Sequence, residues 1–289
     1  MTTELTVPPR KEFQSFHDLP IVTDLDNIEA DVAILGIPFS DPYSMEEVTN
    51  DQTNAPTSIR RFCQRALRGI ERWDFDVGGQ IFDGKDIRVV DVGDIPGDPR
   101  DMGSHYKKAE QVVRKLLAKN VMPIVLGGDH GIPIPVMRAY EGQGPITLVH
   151  IDAHLDWRDD VNGVREGYSS PIRRAAEMDH FEEIFQIGLR SAGSARPEEV
   201  EAALAYGAHL IPDVELQRIG MQAVLDRIPD GGKYYLTIDA DGVDPTIMPA
   251  VAGPAPGGVT YDQMRMLIHG LVDKGRVVGM DIVEITPKR

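Results

Sequence analysis

The feature that most constrains this chain is a recurring apolar run that ends in charge. Short β-branched segments occur at 31–39 (DVAILGIPF), 87–93 (IRVVDVG), 121–128 (VMPIVLGG), 146–152 (ITLVHID), 183–190 (EIFQIGLR), 233–239 (KYYLTID) and 277–285 (VVGMDIVEI). Runs of this kind suit strands buried on both faces of a parallel sheet. Helical patterns alternate with them: 104–120 with Ser104 as its cap, 197–207 after Arg196, and 260–275 opened by Thr260 and closed by Gly275. The alternation predicts a doubly wound α/β fold with ligands at the carboxyl ends of the strands. Without an internal repeat or Ser/Gly linker, the 289 residues read as a single domain, 1–289, with 1–30 an N-terminal extension packed on it. The stretch 245–258, PTIMPAVAGPAPGG, is too apolar for a spacer and predicts an ordered loop beside a site.

Three of these strands empty into acid and imidazole: GGDH (127–130), DAHLD (152–156) and DADGVDP (239–245). Their strand ends predict that His130, Asp152, His154, Asp156, Asp239 and Asp241 share one edge of the sheet. Positions i, i+2 and i+4 of an extended segment face one side, which suits Asp152, His154 and Asp156. Burying four unpaired carboxylates together is costly. Two divalent cations would supply the missing positive charge. Oxygen-rich ligation with two imidazoles and no thiolate favours Mn2+, with Ni2+ and Co2+ as alternatives. A cation pair roughly 3.5–4 Å apart activates water for hydrolysis. A lone Asp-x-Asp before glycine is usually a solvated turn, so the signal is the joint occurrence of all three motifs. His150 and His209 read as polar residues satisfied within the fold, and Gly127 and Gly128 as residues for a tight turn.

Charge and cysteine usage limit the remaining classes. Acidic residues number 46 against 30 basic ones, a net charge of −16, which disfavours nucleic acid and anionic membranes and attracts cations. The single cysteine, Cys63, excludes an intramolecular disulfide framework and suits a reducing cytoplasm. The start lacks a signal-peptide core, and no apolar run approaches the ~18 residues of a membrane span. A cytoplasmic protein with a small cationic substrate is the expectation.

In the order GGDH, DAHLD, TIDADGVDP, with DVAILGIPF and APTSIRR before them and VGMDIVEITP after, the chain resembles the ureohydrolases, the arginase and agmatinase family. The resemblance implies a three-layer α/β/α fold around a mostly parallel sheet of about eight strands, assembled into trimers or hexamers. It also implies a dinuclear manganese site. One ion would be held by His130, Asp152, Asp156 and Asp239, and the other by Asp152, His154, Asp239 and Asp241. By the same likeness Glu284 holds the substrate guanidinium, which suits a planar N–H donor. Asp156 is the candidate to take the proton of the attacking water and return it to the departing amine.

The chain departs from the family pattern in several places. YSSP before IRRA puts Tyr168 where relatives carry histidine, and tyrosine titrates near pH 10, a poor neutral-pH shuttle. PAVAGPAPGG (249–258) replaces polar threonines with Val251 and Gly253, which points to a smaller or alkylated substrate. Asn50, Asp51 and Gln52 are candidates to line the pocket. The sequence stops five residues after Glu284, where relatives generally continue into another helix. These features give three readings. The first is a binuclear amidinohydrolase cleaving a linear C–N bond of a guanidino or amidino compound, with catalytic Asp156, Glu284 and Tyr168. The second is an assisting subunit of a hetero-oligomer with a homologous chain, and the third a single-metal deacetylase-like hydrolase.

Overall fold

The computed structural model describes residues 5–6, 15–44, 51–66, 72–98 and 100–288. Eight strands form one sheet: β1 (Val32–Ile37), β4 (Val89–Asp94), β5 (Met122–Gly127), β6 (Ile146–Ile151), β7 (Phe181–Leu189), β8 (His209–Pro212), β9 (Lys233–Asp239) and β10 (Arg276–Val283). A separate two-stranded ribbon pairs β2 (Trp73–Asp74) with β3 (Gly79–Gln80). The sheet order is β4-β1-β5-β10-β9-β6-β7-β8, and every pairing in it is parallel. β8 escapes the sequence pattern, because HLIP is too short to stand out as a strand.

The helices are α1 (Ala55–Ala66), α2 (Met102–Ala118), α3 (Pro133–Arg138), α4 (Pro171–Ala175), α5 (Pro197–Tyr206), α6 (Asp213–Leu225) and α7 (Tyr261–Lys274). The cap of α2 is Asp101, whose side chain accepts Ser104 N–H, so the boundary expected at Ser104 lies further upstream. α7 begins in a capping box: Thr260 Oγ1 accepts Gln263 N–H, and Gln263 Oε1 accepts Thr260 N–H.

Alternation along the strands builds two cores. Leu148 of β6 and Tyr235 of β9 join Val112 and Leu116 of α2 on one face. Val149, Ile151, Leu236 and Ile238 point the other way, onto Leu216 and Val224 of α6 and Leu267 and Leu271 of α7. Three layers result, α/β/α. Among the described residues no helix is long and apolar enough to cross a membrane.

The register positions the site. β5, β10, β9 and β6 are successive neighbours, with Ile282 beside Leu126, Val283 beside Asp239, and Ile238 beside Ile151. Residues just past these pairs are therefore level with one another. Gly127 and Gly128 serve close approach rather than a turn conformation. A Cβ at Gly127 would lie 2.6 Å from Val283 Cγ1, and one at Gly128 would lie 2.7 Å from the Phe39 carbonyl carbon.

Two buried charged or titratable groups hold the frame. Arg60 of α1 is wholly buried, and its Nε and Nη2 meet the Asp91 carboxylate at 2.8 and 2.9 Å while Nη1 reaches Asp94. Asp91 also accepts Phe16 N–H at 2.9 Å, which joins the N-terminal segment to β4. Arg60→Met is expected to destabilise the fold by about 3–5 kcal/mol, because it strands Asp91 without its partner. The shift in denaturation midpoint measures this.

His105 of α2 is buried against Phe39, and burial, then Lys108, pushes its pKa down to about 4. The unfolded chain, with histidine near 6.5, takes the proton first, so stability falls as pH drops from about 6.5 toward 4. His105→Leu is expected to remove up to about 3 kcal/mol of that acid-side loss. Unfolding curves at neutral and acid pH, compared with the wild type, read this directly.

Candidate metal centre

The post-strand residues converge at one edge. His130 follows β5, Asp152, His154 and Asp156 follow β6, Asp239 ends β9, and Asp241 lies on the turn after it. Around His130 Nδ1 stand Asp156 Oδ2 at 2.9 Å, Asp239 Oδ2 at 3.1 Å and Asp152 Oδ2 at 3.2 Å. His154 Nδ1 lies 3.3 Å from Asp152 Oδ1 and 3.2 Å from Asp241 Oδ2. The structure thus brings together all six candidate ligands in two groups that share Asp152.

Several observations fit cations here. His130 Nδ1 is buried and makes no hydrogen bond with proper geometry, although three carboxylate oxygens crowd it. These atoms therefore crowd together without a well-aligned hydrogen bond to His130 Nδ1. Among the described residues no lysine or arginine forms an ion pair with Asp152, Asp156, Asp239 or Asp241. Candidate ligand atoms of His130, His150, Asp152 and Asp156 lie within 4.8 Å of one another, as do those of Asp152, His154 and Asp241.

His150 is nonetheless better assigned as support. Gln186 Nε2 donates to Leu155 O at 2.7 Å and to His150 Nδ1 at 3.1 Å, which places the imidazole proton on Nε2. That N–H donates to Asp152 Oδ2 at 2.8 Å, so His150 orients a ligand. His209 is remote, half-exposed and paired with Glu183 at 2.7 Å.

Burial and mutual charge set the electrostatics of the cluster. Burial, then Asp152, pushes Asp156 up to about 7, and burial with Asp241 and Asp152 holds Asp239 well above the usual carboxylate range. Burial opposes charge on His130, but Asp152, Asp156 and Asp239 outweigh it and raise its pKa well above the ordinary value. Close contacts with Asp152 and Asp241 push His154 up to about 12. A divalent cation bound here would offset the same carboxylate charge. Asp156 and Glu284 also adopt left-handed backbone, at φ 52° and 62°, a strain found at functional sites.

Behind these residues lies a supporting shell that the sequence pattern does not single out. His130 Nε2 meets Thr237 Oγ1 at 3.1 Å, Thr237 donates to Asp281 Oδ1 at 2.7 Å, and Tyr235 donates to Asp281 Oδ2 at 2.6 Å. Thr237 and Asp281 are direct cross-strand partners. Polar residues inside otherwise apolar strands are the signal that could have found them. Arg190, just past β7, donates to the carbonyls of Gly188, Asp241, Gly242, Val243 and Ala255, and so fastens the turn that carries Asp241.

A cavity of about 190 Å³ opens beside the cluster, lined by Asp156, Asp239, Asp241, Tyr168, Gly253 and Glu284 among others. Glu284 is buried; its Oε1 accepts His130 N–H at 2.8 Å and its Oε2 accepts Gln52 Nε2–H at 2.9 Å. Burial, then Asp129, pushes its pKa up to about 8. Tyr168 packs against Tyr43 with ring centroids 4.2 Å apart and the ring planes tilted by 37°. Ala252 and Gly253 bring the 245–258 loop to the cavity, while Val251 is buried and bridges Ile285, so it shapes the loop from behind. Asp51 is also buried, and Asn50 lies outside the described residues. A larger cleft of about 600 Å³, lined by Glu110, Arg114, Arg138 and His180, holds none of these groups.

Fold and site together define a three-layer α/β/α protein with a carboxylate–imidazole centre suited to divalent cations. The arginase family profile matches residues 30–289. The chain is 29% identical over 280 residues to the guanidinobutyrase of Pseudomonas aeruginosa, covering 93% of this chain and 83% of that protein. With the agmatinase of Bacillus subtilis it shares 32% identity over 207 residues, 70% of this chain and 68% of the relative. The structure of proclavaminate amidino hydrolase from Streptomyces clavuligerus superposes with a TM-score of 0.82 at 27% identity, covering 98% of this chain and 91% of that one. The chain belongs to the arginase family.

The shell behind His130 is testable without turnover. Thr237→Val is expected to weaken divalent-metal affinity about 10–100-fold, since His130 loses its rear partner. Metal titration of the stripped protein, with circular dichroism as a control for folding, measures the change.

Proposed function

We propose that this centre hydrolyses a linear C–N bond of a small guanidino or amidino compound, releasing urea or a substituted urea and an amine. The chain is an agmatinase-like ureohydrolase, a hydrolase of linear amidine C–N bonds. The observation that carries the reading is the unpartnered, carboxylate-crowded His130 Nδ1, in a site whose cavity is also lined by Glu284.

In this reading His130, Asp152, Asp156 and Asp239 hold one cation and Asp152, His154, Asp239 and Asp241 the other. The donor set favours Mn2+ with Ni2+ as the alternative. Such a pair, when bound, lowers the pKa of water and so supplies the nucleophile near neutral pH. Glu284 accepts guanidinium N–H groups and holds the reacting carbon in place. Asp156 accepts the proton released by the nucleophile and delivers it to the departing amine. Tyr168, which packs against Tyr43, narrows the cavity and donates a hydrogen bond to the substrate.

A cavity of about 190 Å³ suits small substrates. Relatives named guanidinobutyrase, guanidinopropionase and agmatinase bring in guanidinobutyrate, guanidinopropionate and agmatine. The small Ala252 and Gly253 on the wall add free or alkylated guanidine and biguanides. Trimeric or hexameric assembly in the cytoplasm belongs to the same proposal. Convergence of all six ligands gives the assisting-subunit reading no support.

Protein loaded with Mn2+ or Ni2+ is expected to carry close to two ions per chain and to release urea or amine from at least one member of this panel. Turnover of none by fully metallated protein would refute the assignment. Tyr168→His is expected to move selectivity toward agmatine, measured as the ratio of kcat/KM values across the panel.

A further inference from the structure

We propose that Gln52 is a positioning residue that presents Glu284 to the substrate, and that its own carbonyl oxygen accepts a second guanidinium N–H. The inference rests on the amidine-hydrolase reading above. Gln52 opens the short turn Gln52–Asn54 that leads into α1, and it is only 3% exposed. Its separation from Glu284 in the sequence is 232 residues, yet Nε2 donates to Glu284 Oε2 at 2.9 Å. On the other carboxylate oxygen the donor is His130 N–H, at 2.8 Å. Each oxygen of Glu284 is thus fixed by one protein donor, which sets the plane of the carboxylate and leaves each oxygen further acceptor capacity.

Gln52 Oε1 is buried and has no hydrogen-bond partner among the described residues. Buried amide oxygens are nearly always satisfied, so an exception calls for a ligand or water. The amide places this oxygen one functional group away from Glu284 Oε2. A planar guanidinium carries N–H donors around its whole rim, so one edge engages Glu284 while a neighbouring N–H reaches Gln52 Oε1. A carboxylate alone attracts any small cation. A carboxylate beside a fixed neutral acceptor favours a flat, multi-donor cation over a simple ammonium ion.

The turn has its own supports, which keep Gln52 in place without substrate. Asn54 Nδ2 donates to Asp51 Oδ1, and α1 is tied to β4 through Arg60 and Asp91. The arrangement therefore connects an element near the start of the described chain to a site built from central strands.

The test uses the metal-loaded full chain with Gln52→Leu, which removes donor and acceptor at similar volume, and Gln52→Glu, which keeps an acceptor but loses the N–H. Guanidinium chloride and methylammonium chloride serve as competitive probes. For Gln52→Leu, KM for the best substrate and the inhibition constant for guanidinium are expected to rise roughly tenfold or more, with kcat less affected. Methylammonium, which reads only the presentation of Glu284, is expected to lose less affinity than guanidinium, and metal content is expected to stay near wild type. Gln52→Glu is expected to recover guanidinium binding only in part. Should Gln52→Leu not fold, Gln52→Asn, which keeps the amide but withdraws it, is read by the same constants. A folded, metallated variant with KM and guanidinium inhibition within about twofold of wild type would overturn the role of Gln52 alone. Absence of turnover by the wild type across the panel would overturn the functional reading, and this inference with it.

Discussion

Mutual repulsion among Asp152, Asp156, Asp239 and Asp241 is the constraint on which the rest of the structure turns. Four carboxylates buried at the ends of central strands cannot all be ionised without compensating positive charge. Burial first, and the neighbouring carboxylates after it, displace Asp156, Asp239 and Asp241 upward. A family whose chemistry needs cations keeps the conflict because binding relieves it. The parallel sheet makes the concentration achievable: with β5, β10, β9 and β6 side by side and in step, one edge receives residues from four strands.

Holding such a cluster needs a shell that is itself satisfied. Gln186 fixes the tautomer of His150, and His150 orients Asp152. Thr237, Asp281 and Tyr235 form a similar line behind His130. In both cases a buried polar group finds its partners on neighbouring strands, so the sheet register that places the ligands also orients them.

The sheet is largely legible in the sequence because its strands are apolar on both faces, as VAILGI and ITLVHI show. β8 and α6 are not, since HLIP is short and α6 follows directly from Pro212 with a break in helical geometry at Gly220. The ligand residues are readable because Asp and His crowded at the end of an apolar run are costly to bury unless they bind a cation. Thr237 and Asp281 are harder, because a single polar residue within a strand resembles ordinary alternation until its burial is known. Gln52 stands out only as a polar residue in a loop without a pattern. Its partner, Glu284, lies at the far end of the chain, a contact that local pattern does not encode. The expected role of Val251 shifts for a related reason: its side is decided by a bridge to Ile285.

Arg190 adds a different kind of consequence. Among the described residues its guanidinium donates to five main-chain oxygens, spread over the end of β7, the Asp241 turn and the loop before α7. A clasp that ignores side-chain identity leaves the loop free to diversify its surface while its anchorage stays put. Point changes around residues 249–258 can then be absorbed without loosening the acidic cradle beneath.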